Sequence, residues 1–319
     1  MKDLGFDLDR YLRNSKRVDL TDLDWVRIRE YPVTIEEARC LSYMMDIESH
    51  TVIFLRDLLS TPAALEPDIT AFLSCWVYEE LWHGEAFSRF LGEAGYALEP
   101  DGERTRWDDP YPSRVKRNFW IRGMITTKVY VEQLKRMAGW LMVKDFPAVH
   151  MTWGALNEYS TLTAYHRLIA KTNHPVMIEM LHRVIKDERR HYAFYRNQAQ
   201  LRLARSAKAR KVTRWALEQL WAPVGTGVRP IAETDFVISY LMGDEEGLAT
   251  AREMDESISE LPGLERGNYI EKSVHAALDR LGNRQSVGGR RESGVGSRKS
   301  VTTPDPSPQT RRSTLSEIT

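Results

Sequence analysis

Six residues of the 319-residue chain fall into a pattern that occurs twice: a Glu, then some thirty residues later Glu-x-x-His. The first copy is Glu48 with Glu80-Leu81-Trp82-His83. The second is Glu158 with Glu188-Arg189-Arg190-His191. Four carboxylates and two imidazoles at this spacing are the donor set of a dinuclear iron or manganese site inside a four-helix bundle. Oxygen-rich ligation with one His per ion suits iron or manganese, whereas structural zinc prefers thiolates. Ionised carboxylates on a core stripe cost several kcal/mol each unless paired or metal-bound, roughly. Two divalent cations would remove that cost.

Four helices must position these residues. Thr34-Ile35-Glu36-Glu37 has the form of a capping box and opens a helix to about Leu59, with the stripe Leu41, Met45, Glu48, Val52 and Leu55. Thr61-Pro62 and Glu66-Pro67 bracket a turn. A second helix over 68–93 carries Ile69, Leu73, Trp76, Glu80, His83, Phe87 and Phe90 on one face. Gly95 to Pro112 reads as a loop, and 113–144 as a long, partly basic helical stretch. After the interruption at Asp145-Phe146-Pro147, a third helix to about Lys171 presents Met151, Ala155, Glu158, Leu162 and Tyr165. Asn173-His174-Pro175 turns the chain into a fourth, with Met177, Leu181, Val184, Glu188, His191 and Tyr195.

Helical geometry separates the six from decoys. A third Glu-x-x-His, Glu179 with His182, lies nine residues before Glu188 and so about 180° round the helix, which assigns it to solvent. His50 is turned away from the stripe in the same manner, about 160° from Glu48. Depth gives a second test. The midpoint of Glu48 and Glu80 is residue 64, and that of Glu158 and Glu188 is residue 173, each inside its turn. The two Glu of each hairpin therefore sit at equal depth, about 20 Å from the turn, and two packed hairpins can bring all four to one level.

The rest of the chain supplies limits. Lys+Arg and Asp+Glu both number 45, so no overall bias toward nucleic acid exists. No apolar run approaches the roughly 20 residues of a membrane span, and the first residues lack the pattern of a signal peptide; the expectation is a cytoplasmic protein. Cys40 and Cys75 lie in apolar helical surroundings and read as free thiols. Residues 1–33 read as an N-terminal arm docked through Trp25 and Ile28. Residues 34–281 form the helical domain, with a basic helix beyond Ala204 and one or two helices over 231–281. Residues 282–319, with almost no aliphatic content, are expected to be a disordered tail. The fold class expected is all-α: a four-helix bundle with flanking helices.

Glu79-Glu80-Leu81-Trp82-His83-Gly84 resembles the EENRHG motif of the soluble acyl-carrier-protein desaturases, and Asp187-Glu188-Arg189-Arg190-His191 resembles their DEKRH motif. Glu158-Tyr159-Ser160-Thr161 is similar to their E-R-A-T element. The resemblance covers roughly residues 36–205 and implies a ferritin-like di-iron bundle. It implies that Glu48, Glu80, His83, Glu158, Glu188 and His191 ligate two iron ions (manganese being the other candidate), with Glu80 and Glu188 bridging. Thr161 would lie beside the oxygen-binding face. Asp187 is a candidate to hydrogen-bond a ligating His, the alternative being a plain surface carboxylate. The implied partners are an acyl carrier protein, a ferredoxin-type electron donor and a second copy of the chain as a homodimer. Arg114, Lys116 and Arg117, or Arg202, Arg205, Lys208 and Arg210, are the basic clusters that could meet an acidic carrier, or are solvated helix faces. Trp76, Met45 and Tyr195 are candidates for a chain-binding groove, or simply core. One departure stands out: the chain between His83 and Glu158 is longer than the family pattern.

Related di-iron proteins differ at single positions. The radical subunit of ribonucleotide reductase has a Tyr where this chain has Phe87. Arylamine N-oxygenases have a third His where it has Val184. The alternatives to desaturation are another di-iron oxygenase, a hydroxylase or N-oxygenase, and a non-catalytic di-metal binding or storage protein. An apolar cavity reaching the metals separates the enzymes from the storage reading.

Overall fold

The computed structural model describes residues 5–59, 61–96 and 145–292, with the side chains of 57 and 283–292 excepted. Among these residues there are nine α-helices and no strand. In chain order they are α1 (Leu8–Asn14), α2 (Ile35–Leu59), α3 (Pro67–Glu93), α4 (Phe146–Lys171), α5 (Pro175–Arg205), α6 (Ala207–Leu220), α7 (Ile231–Met242), α8 (Glu245–Ser259) and α9 (Tyr269–Glu292). Short 3-10 turns occupy Val26–Glu30 and Pro62–Leu65.

The boundaries follow from local chemistry. The Thr34 N–H donates to Glu37 Oε2 at 2.8 Å and the Glu37 N–H to Thr34 Oγ1 at 3.1 Å, so the capping box closes reciprocally ahead of α2. His174 opens α5, its Nδ1 accepting from the Met177 N–H at 3.2 Å, with Pro175 in the first turn, where no N–H is needed. Three helices, not one or two, follow residue 230. Gly243 ends α7 and the Asp244 carboxylate caps α8, accepting from Gly247 N–H at 2.7 Å. Asp255 then receives the Ile270 and Glu271 N–H groups at the start of α9. That last helix continues to Glu292, past the 282 boundary expected for the tail. The helical stretch expected over 113–144 and the tail beyond 292 lie outside the described residues.

Helix α2 packs on α3 and α4 on α5, making two hairpins. Two apolar clusters fill the space between them. One takes Leu41 and Met45 of α2, Phe87 and Phe90 of α3, Leu162 and Tyr165 of α4, and Met177 to Ile185 of α5. The other takes Leu58 of α2, Ile69 to Trp76 of α3, Met151 to Leu156 of α4, and Phe194 to Leu203 of α5. Reading the residue order through both clusters, α2 and α5 run one way while α3 and α4 run the other. On every one of the four helices the Glu of the doubled pattern falls between its two apolar stretches. The bundle thus holds a polar layer between two dry ones.

The N-terminal arm docks on this frame. Ile28 is fully buried, its carbonyl 3.1 Å from His174 Nε2, and Trp25 lies under the Arg89 guanidinium at 4.0 Å. Tyr11, the buried residue of α1, reaches the polar layer itself. Cys40 and Cys75 are free, Cys40 being fully buried. No described helix is long and apolar enough to cross a membrane.

Candidate metal centre

All six residues of the doubled pattern are buried, from 0% exposure at His83, Glu188 and His191 to 6% at Glu158. They form two overlapping groups: Glu48, Glu80, His83 and Glu188, and then Glu80, Glu158, Glu188 and His191. Within each group one ligand atom per residue lies within 4.8 Å of all the others. Glu80 and Glu188 belong to both, which is the arrangement of two carboxylates shared between two ions. Glu48 and His83 stand at one end, Glu158 and His191 at the other.

The imidazoles are oriented from behind. His83 turns Nδ1 to Glu80 at 3.2 Å and Glu188 at 3.1 Å, and Nε2 outward to Asp187 Oδ2 at 3.2 Å. His191 repeats the geometry, with Nδ1 at 3.1 Å from Glu80 and Nε2 at 2.7 Å from Glu79 Oε2. An ionised carboxylate on Nε2 keeps the proton there and leaves the Nδ1 lone pair facing inward. Asp187 and Glu79 are both held below the ordinary carboxylate range. Burial alone would raise each, but His83 and Arg190 outweigh it at Asp187, and His191 and Arg190 at Glu79. Arg190 bonds both acids, Glu79 at 3.0 Å. Tyr11 adds a hydroxyl to Glu79 at 2.9 Å.

The terminal carboxylates are held by aromatic donors. Trp76 Nε1 donates to Glu158 Oε1 at 3.0 Å, and the Tyr165 hydroxyl donates to Glu48 Oε1. Burial, then the neighbouring Glu80 and Glu188, pushes Glu48 and Glu158 well above the ordinary carboxyl value. Glu80 goes the other way. Burial would raise it, but hydrogen bonds from Glu48 and the two histidines, with the charge of His191, hold it well below. At His83 burial opposes the charge and loses to Asp187, Glu188 and Glu80, so that imidazole is held well above its ordinary value.

These observations decide whether metal fits. Without cations, the layer balances its carboxylates only by holding protons on Glu48 and Glu158 and charge on the histidines. Both Glu188 oxygens and His191 Nδ1 are buried without a well-formed hydrogen bond among the described residues, although charged groups lie 3.1–3.5 Å away. Buried polar atoms left in that state cost about 1–3 kcal/mol each. Glu188 belongs to both groups and His191 to the second. The donor set fits a pair of oxygen-loving divalent ions.

Other expected residues divide. Glu179 and His182 are exposed, Glu179 pairing with Arg183. His50 stands outside both groups, as its rotation off the stripe requires, yet it is only 6% exposed and does not face solvent as Glu179 does. Helix rotation carried it off the stripe but into another buried environment. Trp76, Met45 and Tyr195 are buried in the core and are not in the wall of the apolar cavity that lies against Glu48, Thr161, Ala164 and Tyr165. Its far walls are Ile238 of α7, Met254 of α8 and Ile270 of α9. Arg114, Lys116 and Arg117 lie outside the described residues, while Arg202 is committed to Glu66 and Gln198. Glu79 was missed. Its signal was present, because it precedes Glu80 as Asp187 precedes Glu188.

Fold and site together define a helical bundle with a buried carboxylate–histidine cluster able to hold a pair of metal ions. Comparison of the chain with family models, curated proteins and solved structures returned no match.

Proposed function

We propose that the chain is a di-iron oxidoreductase that uses dioxygen on an apolar substrate, and that it is an acyl desaturase, introducing a double bond. The observation that carries this reading is the cavity. A storage or structural site needs only a closed core, whereas here an apolar space borders the terminal ligand Glu48 and the half-buried Thr161. The resemblance of Glu79–Gly84, Glu158–Thr161 and Asp187–His191 to the desaturase motifs supports the choice among di-iron enzymes.

Glu48, Glu80, His83, Glu158, Glu188 and His191 would hold the ions, with Glu80 and Glu188 shared. When bound, the metal pair supplies dioxygen activation and the power to break an unactivated C–H bond. The protein supplies the remainder. Ala164, Ile238, Met254 and Ile270 exclude water and place an apolar chain along the Glu48 side. Asp187 and Glu79 fix the imidazole rings from behind. Thr161 lines the cavity together with Glu48, and its hydroxyl would hand protons inward. A ferredoxin-type donor would supply two electrons per turnover, and an acyl carrier protein would deliver the chain.

Product analysis tests this. Iron-loaded protein incubated with reductant, dioxygen and acyl substrates should yield a product lighter by two hydrogens. Products that instead gain an oxygen atom would identify a hydroxylase or N-oxygenase, and consumption of dioxygen with no organic product would favour the storage reading.

A further inference from the structure

Among the described residues, Tyr165 is the one oxidisable side chain that both hydrogen-bonds a ligand carboxylate and lines the cavity. It is fully buried, its ring lies edge-on to Phe87 at a centroid distance of 5.6 Å, and its hydroxyl donates to Glu48 Oε1. The other aromatic groups at the layer lack one of these properties. Trp76 donates to Glu158 but is absent from the cavity wall, and Tyr11 reaches the centre only through Glu79 and His191. A phenol that donates its proton in a hydrogen bond to a carboxylate can, when bound metal keeps that carboxylate ionised, lose an electron and the proton together without forming a buried cation. A cavity that is empty when dioxygen reacts leaves oxidising power with no substrate to spend it on.

We propose that Tyr165 is a redox-active residue that discharges the centre when no substrate occupies the cavity. This rests on the di-iron reading above. The phenol would give one of the two electrons that return the oxidised centre to rest, with its proton passing to the ionised Glu48 Oε1 and a neutral phenoxyl radical left behind, and the external donor would give the other. The external one-electron donor later returns the electron and Glu48 returns the proton, restoring the phenol. Discharge through Tyr165 spares the apolar cavity wall, where Met44, Met242 and Met254 are the side chains most readily oxidised.

The test uses the iron-loaded, fully reduced protein exposed to dioxygen without substrate, freeze-quenched and read by electron paramagnetic resonance. An organic-radical signal is expected, narrowed by ring-deuterated tyrosine and lost in Tyr165→Phe, but retained in Tyr11→Phe and Tyr195→Phe. Tyr165→Phe should keep its iron, with a thermal midpoint lowered only as far as one buried hydrogen bond allows, and should accumulate methionine sulfoxide at Met44, Met242 and Met254 over repeated cycles. Site-specific 3-fluorotyrosine at 165 keeps the hydroxyl and shape, and should add fluorine hyperfine structure to the signal. Iron-replete protein that forms product yet shows no radical, or a radical that survives Tyr165→Phe, overturns the proposal and leaves the di-iron reading standing. Protein without iron overturns both.

Discussion

At the level of single residues, the centre depends on what stands behind each imidazole. Asp187 on His83 and Glu79 on His191 are equivalent positions in two copies of one pattern, and both are ionised acceptors. Removing such a partner's charge typically weakens metal affinity 10–100-fold, about that range in known sites. Asp187→Asn and Glu79→Gln are each expected to fall in it by chelator competition, with the helical content unchanged; full affinity in both would show that the pairs only decorate the site. A second residue gives a pH signature. His150 is 4% exposed, neither ring nitrogen has a hydrogen-bond partner among the described residues, and Arg202 is the charge acting on it. Burial first, then Arg202, pushes its imidazole down to about 3. The unfolded chain therefore takes up a proton near pH 6.5 that the folded chain refuses, so stability is full above that pH and falls as acid is added. Between pH 6.5 and 5 the loss should be about 2 kcal/mol. His150→Leu should remove that slope in denaturant titrations, and an unchanged slope would contradict the assignment.

The helices show what could be read from the chain alone. The capping box at Thr34 and Glu37, the Pro-bracketed turn near residue 64, and the exposure of Glu179 and His182 all followed from local chemistry or from the 3.6-residue period. Those signals were strong because each lies within one helix or one turn. Tyr11 to Glu79 spans 68 positions and Tyr165 to Glu48 spans 117, so neither contact leaves a local trace. His50 shows a related limit: periodicity gives a direction from the helix axis, not what waits there. Close packing of α4 on α5 is equally invisible until both are placed. A Cβ at Gly154 would lie 2.2 Å from the Tyr195 ring, which is fully buried and cannot yield. Gly154→Ala is expected to destabilise by about 1–3 kcal/mol, read as a lower urea midpoint. An unchanged midpoint would mean that the helices separate freely there.

Across the whole molecule, the six ligands come from the bundle, but the space beside them needs the later helices. The two dry clusters on either side of the polar layer explain how the bundle can carry so many buried carboxylates without opening to water. Ile238, Met254 and Ile270 of α7, α8 and α9 close the cavity that borders Glu48. This wall was not legible beforehand, because 231–281 carries no patterned chemistry of its own, only apolar positions on amphipathic helices. Filling the cavity from that side should therefore separate binding of metal from turnover. Ile238→Trp is expected to keep its iron while product formation falls, and equal activity would place the substrate elsewhere. The central claim is tested most directly by metal analysis of the purified protein beside two variants. Close to two irons per chain are expected in the native protein, with both lost in Glu188→Ala, whose carboxylate the two groups share, and one retained in Glu48→Ala, whose carboxylate serves a single group. A single zinc, no metal, or two irons persisting in Glu188→Ala would contradict it.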